Sequence, residues 1–113
     1  VLTYESLDIS DEKAVEDLIN RLSQSPYPLK GIFHLAGILD DALLTEQEWS
    51  RFETVFAPKI YGSYFLHKYS KDLDFFVLFS SISSVLGSPG QSNYAAANAF
   101  LDALCASRRD MVS

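Results

Sequence analysis

Five consecutive apolar residues, Phe75-Phe76-Val77-Leu78-Phe79, sit inside the segment Leu73 to Ser80 with no polar alternation. So short and uniform a run fits a strand covered on both faces, the situation of a strand in a parallel sheet flanked by helices. Lys30 to Leu35 is a second short apolar strand, and Ala36-Gly37 lets the chain turn at its carboxyl end without a bulky side chain. Val1 to Asp8 reads as a third strand, the first in chain order.

Helical spacing fills the intervals. Ser10 is placed to cap a helix whose first turn carries Asp11 and Glu12, and Ala14, Val15, Leu18, Ile19 and Leu22 give that helix one apolar face. It stops near Ser23 to Pro28. Thr45 to Glu48 has the form of a capping box, with Leu44 and Trp49 as a hydrophobic staple, and opens a long helix to about Tyr69 that Pro58 should kink. Ser81 to Gln91 reads as a loop rich in Ser and Gly, and Ser92 to Arg109 as the last helix.

The order βαβαβα favours a parallel sheet with right-handed crossovers, so the expected class is α/β, a partial Rossmann-like doubly wound sheet. Ligands of such sheets bind at the carboxyl ends of the strands. No internal repeat or linker interrupts residues 1–113. Three strands, against the roughly six of a full sheet of this type, suggest one unit that is part of a larger domain.

Composition narrows the partners. A formal charge of −6 and a pI near 4.7 argue against a nucleic-acid backbone or an anionic membrane as ligand. The single cysteine, Cys105, has no internal disulfide partner and falls in a helical pattern, where a small buried core residue is the ordinary role. No run approaches the roughly 18 apolar residues of a membrane span, and no charged-then-apolar start suggests a signal peptide. The expectation is a cytosolic protein with no metal site.

The chemistry concentrates in one place. Tyr94 and Asn98 lie four residues apart in Ser92-Asn93-Tyr94-Ala95-Ala96-Ala97-Asn98-Ala99-Phe100, and Ser81 stands thirteen residues before the tyrosine at the end of the apolar strand. A strand ending in serine presents a hydroxyl at the sheet's carboxyl edge, and the helix that follows can project a phenol and an amide from one face beside it. A ketone accepting hydride develops negative charge on oxygen, so it needs preorganised donors and a proton. Tyr94 can supply the proton and Ser81 can hold the oxygen. Lys59, next to the expected kink, is the candidate cation that would favour the phenolate. Singly, each has a plainer explanation: a solvated lysine, loop serines, a packing tyrosine. Asn98 is harder to dismiss, because asparagine is a mediocre helix former and here it stands among alanines.

From Gly31 to Arg109 the chain resembles the ketoreductase domain of modular polyketide synthases, a branch of the short-chain dehydrogenase/reductase superfamily. Four motifs carry the resemblance in order: Gly31-Ile32-Phe33-His34-Leu35-Ala36-Gly37-Ile38-Leu39-Asp40-Asp41, Ala57-Pro58-Lys59-Ile60-Tyr61-Gly62-Ser63, Phe75 to Ser81, and Gly90 to Asp102. Most short-chain reductases carry lysine four residues after the tyrosine. Here Asn98 occupies that position and the lysine, Lys59, lies upstream, an exchange typical of the synthase ketoreductases. The resemblance thus implies Tyr94 as proton donor, Ser81 as carbonyl-binding group, Lys59 as the cation tuning the phenol and Asn98 as a relay or positioning residue. It implies NADPH as hydride source, with Asp8 and Ile9 toward the adenine and Ala36, Gly37 and Ser80 lining the cofactor site. The substrate implied is a β-ketoacyl thioester on an acyl carrier protein, with other synthase domains in cis. Leu39-Asp40-Asp41 resembles the motif of ketoreductases that set a D-configured β-hydroxyl, and Leu86 stands where the opposite class has tryptophan. Asp40 and Asp41 also fit as ordinary loop residues ahead of a helix.

None of the five glycines, Gly31, Gly37, Gly62, Gly87 and Gly90, forms the Gly-x-Gly-x-x-Gly turn that seats a pyrophosphate at a helix start. In the family that turn lies upstream of Val1 and a substrate lid lies downstream of Ser113, so the 113 residues alone are expected neither to bind NADPH tightly nor to turn over. Two other readings stay open: a catalytically silent reductase-like module that holds neighbouring synthase domains in place, and a free-standing short-chain reductase.

Overall fold

The two apolar runs pair side by side. In the computed structural model, which describes residues 2–110, β1 (Gly31–His34) and β2 (Phe75–Leu78) form a parallel two-stranded sheet, with Gly31 opposite Phe75 and His34 opposite Leu78. The remaining elements, in chain order, are α1 (Glu12–Ser23), a 3₁₀ turn (Leu44–Glu46), α2 (Trp49–Phe56), a π-helical turn (Ala57–Tyr61), α3 (Gly62–Tyr69), α4 (Ser83–Leu86) and α5 (Ser92–Asp110). The fold is α/β and Rossmann-like, a small parallel sheet with helices packed on it.

The core follows the helical periodicity of α1. Val15 and Ile19 are buried together with Leu66 of α3, and Ile9, Leu29, Ile32 and Phe76 close around them. Helix α5 buries Ala97, Leu101 and Leu104 and packs against α2 and α4. Fully burying side chains of this size contributes about 1.5–3 kcal/mol each, so these few positions dominate the packing.

Several local expectations are corrected. No strand forms at residues 2–8, because a ladder needs a partner backbone and no described residue pairs with them; Val1 lies outside the described residues. The order among the described residues is therefore αβαβα, with two strands in place of three. Asp11, not Ser10, caps α1: its carboxylate accepts the Ala14 N–H at 3.1 Å, while the Ser10 hydroxyl donates to Asp8 at 2.7 Å. Thr45 to Glu48 makes no capping box. A 3₁₀ turn ends at Glu46, α2 starts at Trp49 behind Glu48 with no side-chain cap, and the staple residues Leu44 and Trp49 are both exposed. Trp49 stacks on Phe52 of its own helix instead.

Pro58 does not break its helix. Its missing N–H and its ring, which would meet the carbonyl four residues back, are accommodated by the widened π turn joining α2 to α3 without interruption. The expected loop at Ser81 to Gln91 contains one helical turn, α4. Cys105 is half-buried, not fully buried, and unpaired.

Candidate active site

Beyond β2 the sheet continues by one bond, from the Phe79 N–H to the His34 carbonyl at 3.2 Å, and this sets Phe79 and Ser80 at the carboxyl edge. The Phe79 carbonyl accepts the Lys59 ammonium at 2.9 Å. A second bond at 2.9 Å runs from Lys59 Nζ to Asn98 Oδ1 on α5. Lys59 is only 5% exposed, and its Nζ stands 5.3 Å from the centre of the Tyr94 ring. Both partners are neutral oxygens, so burial is uncompensated and pushes the lysine below its ordinary value. The protein holds a positive charge here and leaves one of its three N–H groups beyond those two bonds.

Asn98 explains itself by geometry. It is fully buried, accepts from Lys59, and donates from Nδ2 to the Tyr94 carbonyl at 2.9 Å, four residues back on the same helix. Its side chain locks the lysine to the helix turn that carries the tyrosine. Ser80 adds a bond from its hydroxyl to the Asn98 carbonyl at 3.2 Å. Ser81 follows, its Oγ accepting the Ser83 N–H at 3.2 Å where α4 begins.

Lys59, Phe79, Ser80 and Tyr94 border a cavity of about 280 Å³ at the strand ends, with Gly37 and Leu39 on its other side, whereas Ser81 and Asn98 stand next to lining residues and do not line it themselves. A Cβ at position 37 would lie 3.2 Å from Lys59 Cε, so the absent side chain makes room for the lysine stem. Two larger clefts, of about 420 and 440 Å³, border neither Lys59 nor Tyr94. Convergence of polar groups rather than volume makes this the candidate site.

Other expected positions lie further out. The Asp8 carboxylate accepts from the Ser10 N–H at 2.9 Å and the Ser10 hydroxyl at 2.7 Å, and these bonds hold it below the ordinary carboxylate range. Ile9 packs into the core against Gly62. Ala36 is exposed beside Gly37. Leu39 lines the cavity, Asp40 pairs with Arg51 of α2, and Asp41 accepts from Gln91 at 3.1 Å.

Two contributors carried no assignment from sequence. His34, buried at the end of β1, bonds the Pro58 carbonyl at 2.9 Å. A carbonyl only accepts, so Nε2 carries the hydrogen. Burial, and secondarily the Lys59 charge, hold this histidine below its usual value, against the raising effect of the Pro58 bond. The Gly62 N–H passes over the Pro58 carbonyl to reach those of Ala57 and Lys59, so His34 anchors the turn that delivers the lysine. Asn93, also fully buried, bonds across to the loop after β1. Neither a histidine at a strand end nor an asparagine at a helix start signals its contact in the sequence.

Among the described residues no group of three or more His, Cys, Asp or Glu is placed to hold a metal ion, and no helix is long and apolar enough to cross a membrane.

A sequence model described as "KR domain" matches residues 1–112. The chain is 47% identical over 104 residues to the phenolphthiocerol synthesis polyketide synthase type I Pks15/1 of Mycobacterium bovis, covering 90% of this chain and 5% of that protein. Its fold superposes on PlmKR1, the ketoreductase from the first module of phoslactomycin biosynthesis in Streptomyces sp. HK803, with TM-score 0.90 and 38% identity over 95% of this chain and 25% of that one. A second solved structure, ElxO with NADP bound, gives TM-score 0.83 at 29% identity, covering 90% of this chain and 44% of that one. The chain thus spans about a twentieth of the curated relative and a quarter of the first of these structures.

Proposed function

Because the chain belongs to the KR domain family, we propose that it is the part of a polyketide synthase ketoreductase that carries the catalytic residues, acting on a β-ketoacyl thioester held by an acyl carrier protein. One observation carries this reading: a buried ammonium, Lys59, with no anionic partner, bonded to Asn98 and set beside the ring of Tyr94. A structural lysine gains nothing from such a place. A site that must stabilise developing negative charge does.

In this reading the substrate carbonyl enters the cavity between Leu39 and the strand ends. Tyr94 gives its phenolic proton to the carbonyl oxygen, and Ser81 donates a hydrogen bond to the same oxygen. Lys59 holds positive charge against the phenolate left behind, and Asn98 keeps the lysine in register with the tyrosine. The cofactor would be NADPH, which when bound supplies the hydride. Its nicotinamide end suits the pocket beside Gly37, where a Cβ would crowd Lys59, and Ala36, Ser80, Asp8 and Ile9 are the further positions proposed for it. The pyrophosphate has no glycine-rich turn to sit on in these 113 residues. The nucleotide-binding turn and the lid of the domain are proposed to lie outside this sequence, as are the companion synthase domains. Leu39-Asp40-Asp41, together with Leu86 in place of tryptophan, supports a D-configured β-hydroxyl product.

The test is a pair of substitutions in the full-length protein. Tyr94→Phe and Lys59→Met should each lower reduction of a β-ketoacyl thioester by roughly 10²–10⁴-fold, the usual worth of a positioned acid and its charge partner. Unchanged reduction in Tyr94→Phe would sink the enzymatic reading and leave a silent structural module in its place.

A further inference from the structure

We infer that Asn93 is a positioning residue that sets the distance between Leu39 and Tyr94, and through it the face of the ketone presented for reduction. The inference rests on the ketoreductase reading of the cavity. Asn93 is 0% exposed, and its amide is fully employed. Nδ2 donates to the Asp40 carbonyl at 2.9 Å and to the Arg51 carbonyl at 3.2 Å, while Oδ1 accepts the Tyr94 N–H at 2.8 Å. One side chain therefore joins the loop after β1, helix α2 and the first turn of α5.

The residues it joins face one space. Asp40 follows Leu39, which lines the cavity, and Tyr94 lines the same cavity from α5. Around this centre the two walls are bonded again at their edges. The Ala42 N–H donates to the Gly90 carbonyl at 2.9 Å and Gln91 Nε2 donates to Asp41 at 3.1 Å, while the Asp40–Arg51 pair ties the loop to α2. Gly90 sits at φ 75°, a conformation that lets a glycine carbonyl aim where another residue would be strained. The outer contacts are exposed or half-exposed, and solvent competes for them; only the Asn93 amide is sealed. A buried amide with both ends engaged tolerates little displacement, because any opening strands a donor or an acceptor away from water.

Asn93→Asp separates this role from simple helix capping. A carboxylate still accepts the Tyr94 N–H but donates nothing to the Asp40 and Arg51 carbonyls. In the full-length protein, amide hydrogen exchange at residues 40–42 should become roughly tenfold faster in Asn93→Asp, the scale expected for losing buried donations. The minor β-hydroxyl configuration should rise by about the same factor, since one lost donation of this size is tenfold in a ratio. Leu104→Ala, a buried change on α5 that the cavity does not meet, should lower Tm while leaving both readouts at wild-type values. Exchange at 40–42 and a product ratio both unchanged in Asn93→Asp would overturn the inference. Because the exchange measurement needs no turnover, it stands or falls independently of the Tyr94→Phe test.

Discussion

The buried His34 ties two kinds of chemistry together at a single residue: it ends β1 and it bonds the carbonyl of the proline that precedes Lys59. Held below its ordinary 6.5, it is neutral in the fold, and His67 is displaced in the same direction by burial and by Arg108. The sign follows from proton linkage. As pH falls below 6.5 the unfolded chain takes up protons that the native state refuses, so stability is full above that value and is lost as pH falls on through the lowered native value. The lowered carboxylates of Glu5, Asp8 and Glu12 add their loss only further down, below their ordinary 4.5 and 3.8. His34→Gln keeps a side-chain N–H for Pro58 without a titration, so Tm measured from pH 7.5 to 5 should fall less steeply than in the wild type. An identical slope would remove His34 from the account. Nothing in the run Ile32-Phe33-His34-Leu35 distinguishes this histidine from a surface one, because its partner is 24 residues away.

At the scale of the element, the π turn at Ala57–Tyr61 is the decisive piece. Pi-helical residues make up well under 1% of globular proteins and gather at functional sites, and here the turn carries Lys59, the cation proposed for the active site. Pro58 marked the irregularity in sequence, but a kink and a widened turn are equally compatible with a proline inside a helix. The packing of α2 on α5 and of α3 on α1 decides between them, because both halves must keep their apolar faces inward. Gly62 closes the turn under Ile9, where an added Cβ would lie 2.8 Å from Ile9 Cγ2. Gly62→Ala should therefore destabilise by about 1–3 kcal/mol, the range for overpacking, despite the better helix propensity of alanine. Urea unfolding would check this, and a stabilised variant would show that Ile9 moves aside freely.

Across the whole molecule, the described residues leave an unusual amount of apolar surface open: Leu2 and Tyr4 are 98% and 91% exposed, and Phe33 of β1 is 61% exposed. Apolar exposure of this extent, with Phe33 and Phe75 of the two-stranded sheet among it, marks a surface made for burial. The 113 residues by themselves, with no phosphate-seating turn, should show NADPH binding weaker than about 100 μM by calorimetric titration, since the pyrophosphate contacts supply much of the affinity of such sites. Micromolar binding would contradict this.

Much of this protein was legible from local pattern. The parallel strands Gly31–His34 and Phe75–Leu78, the amphipathic α1 and the long final helix follow from hydrophobic period, which acts over a few residues. So does the pairing of Tyr94 with Asn98, because a helix places residues four apart on one face. Tertiary structure alone decided the rest. It denied residues 2–8 a ladder partner among the described residues and closed Lys59 onto Asn98 across 39 residues. It also gave His34 and Asn93 their work. Each of these depends on a hydrogen-bond partner remote in the chain, and a polar side chain declares its partner only once burial has removed water as the alternative.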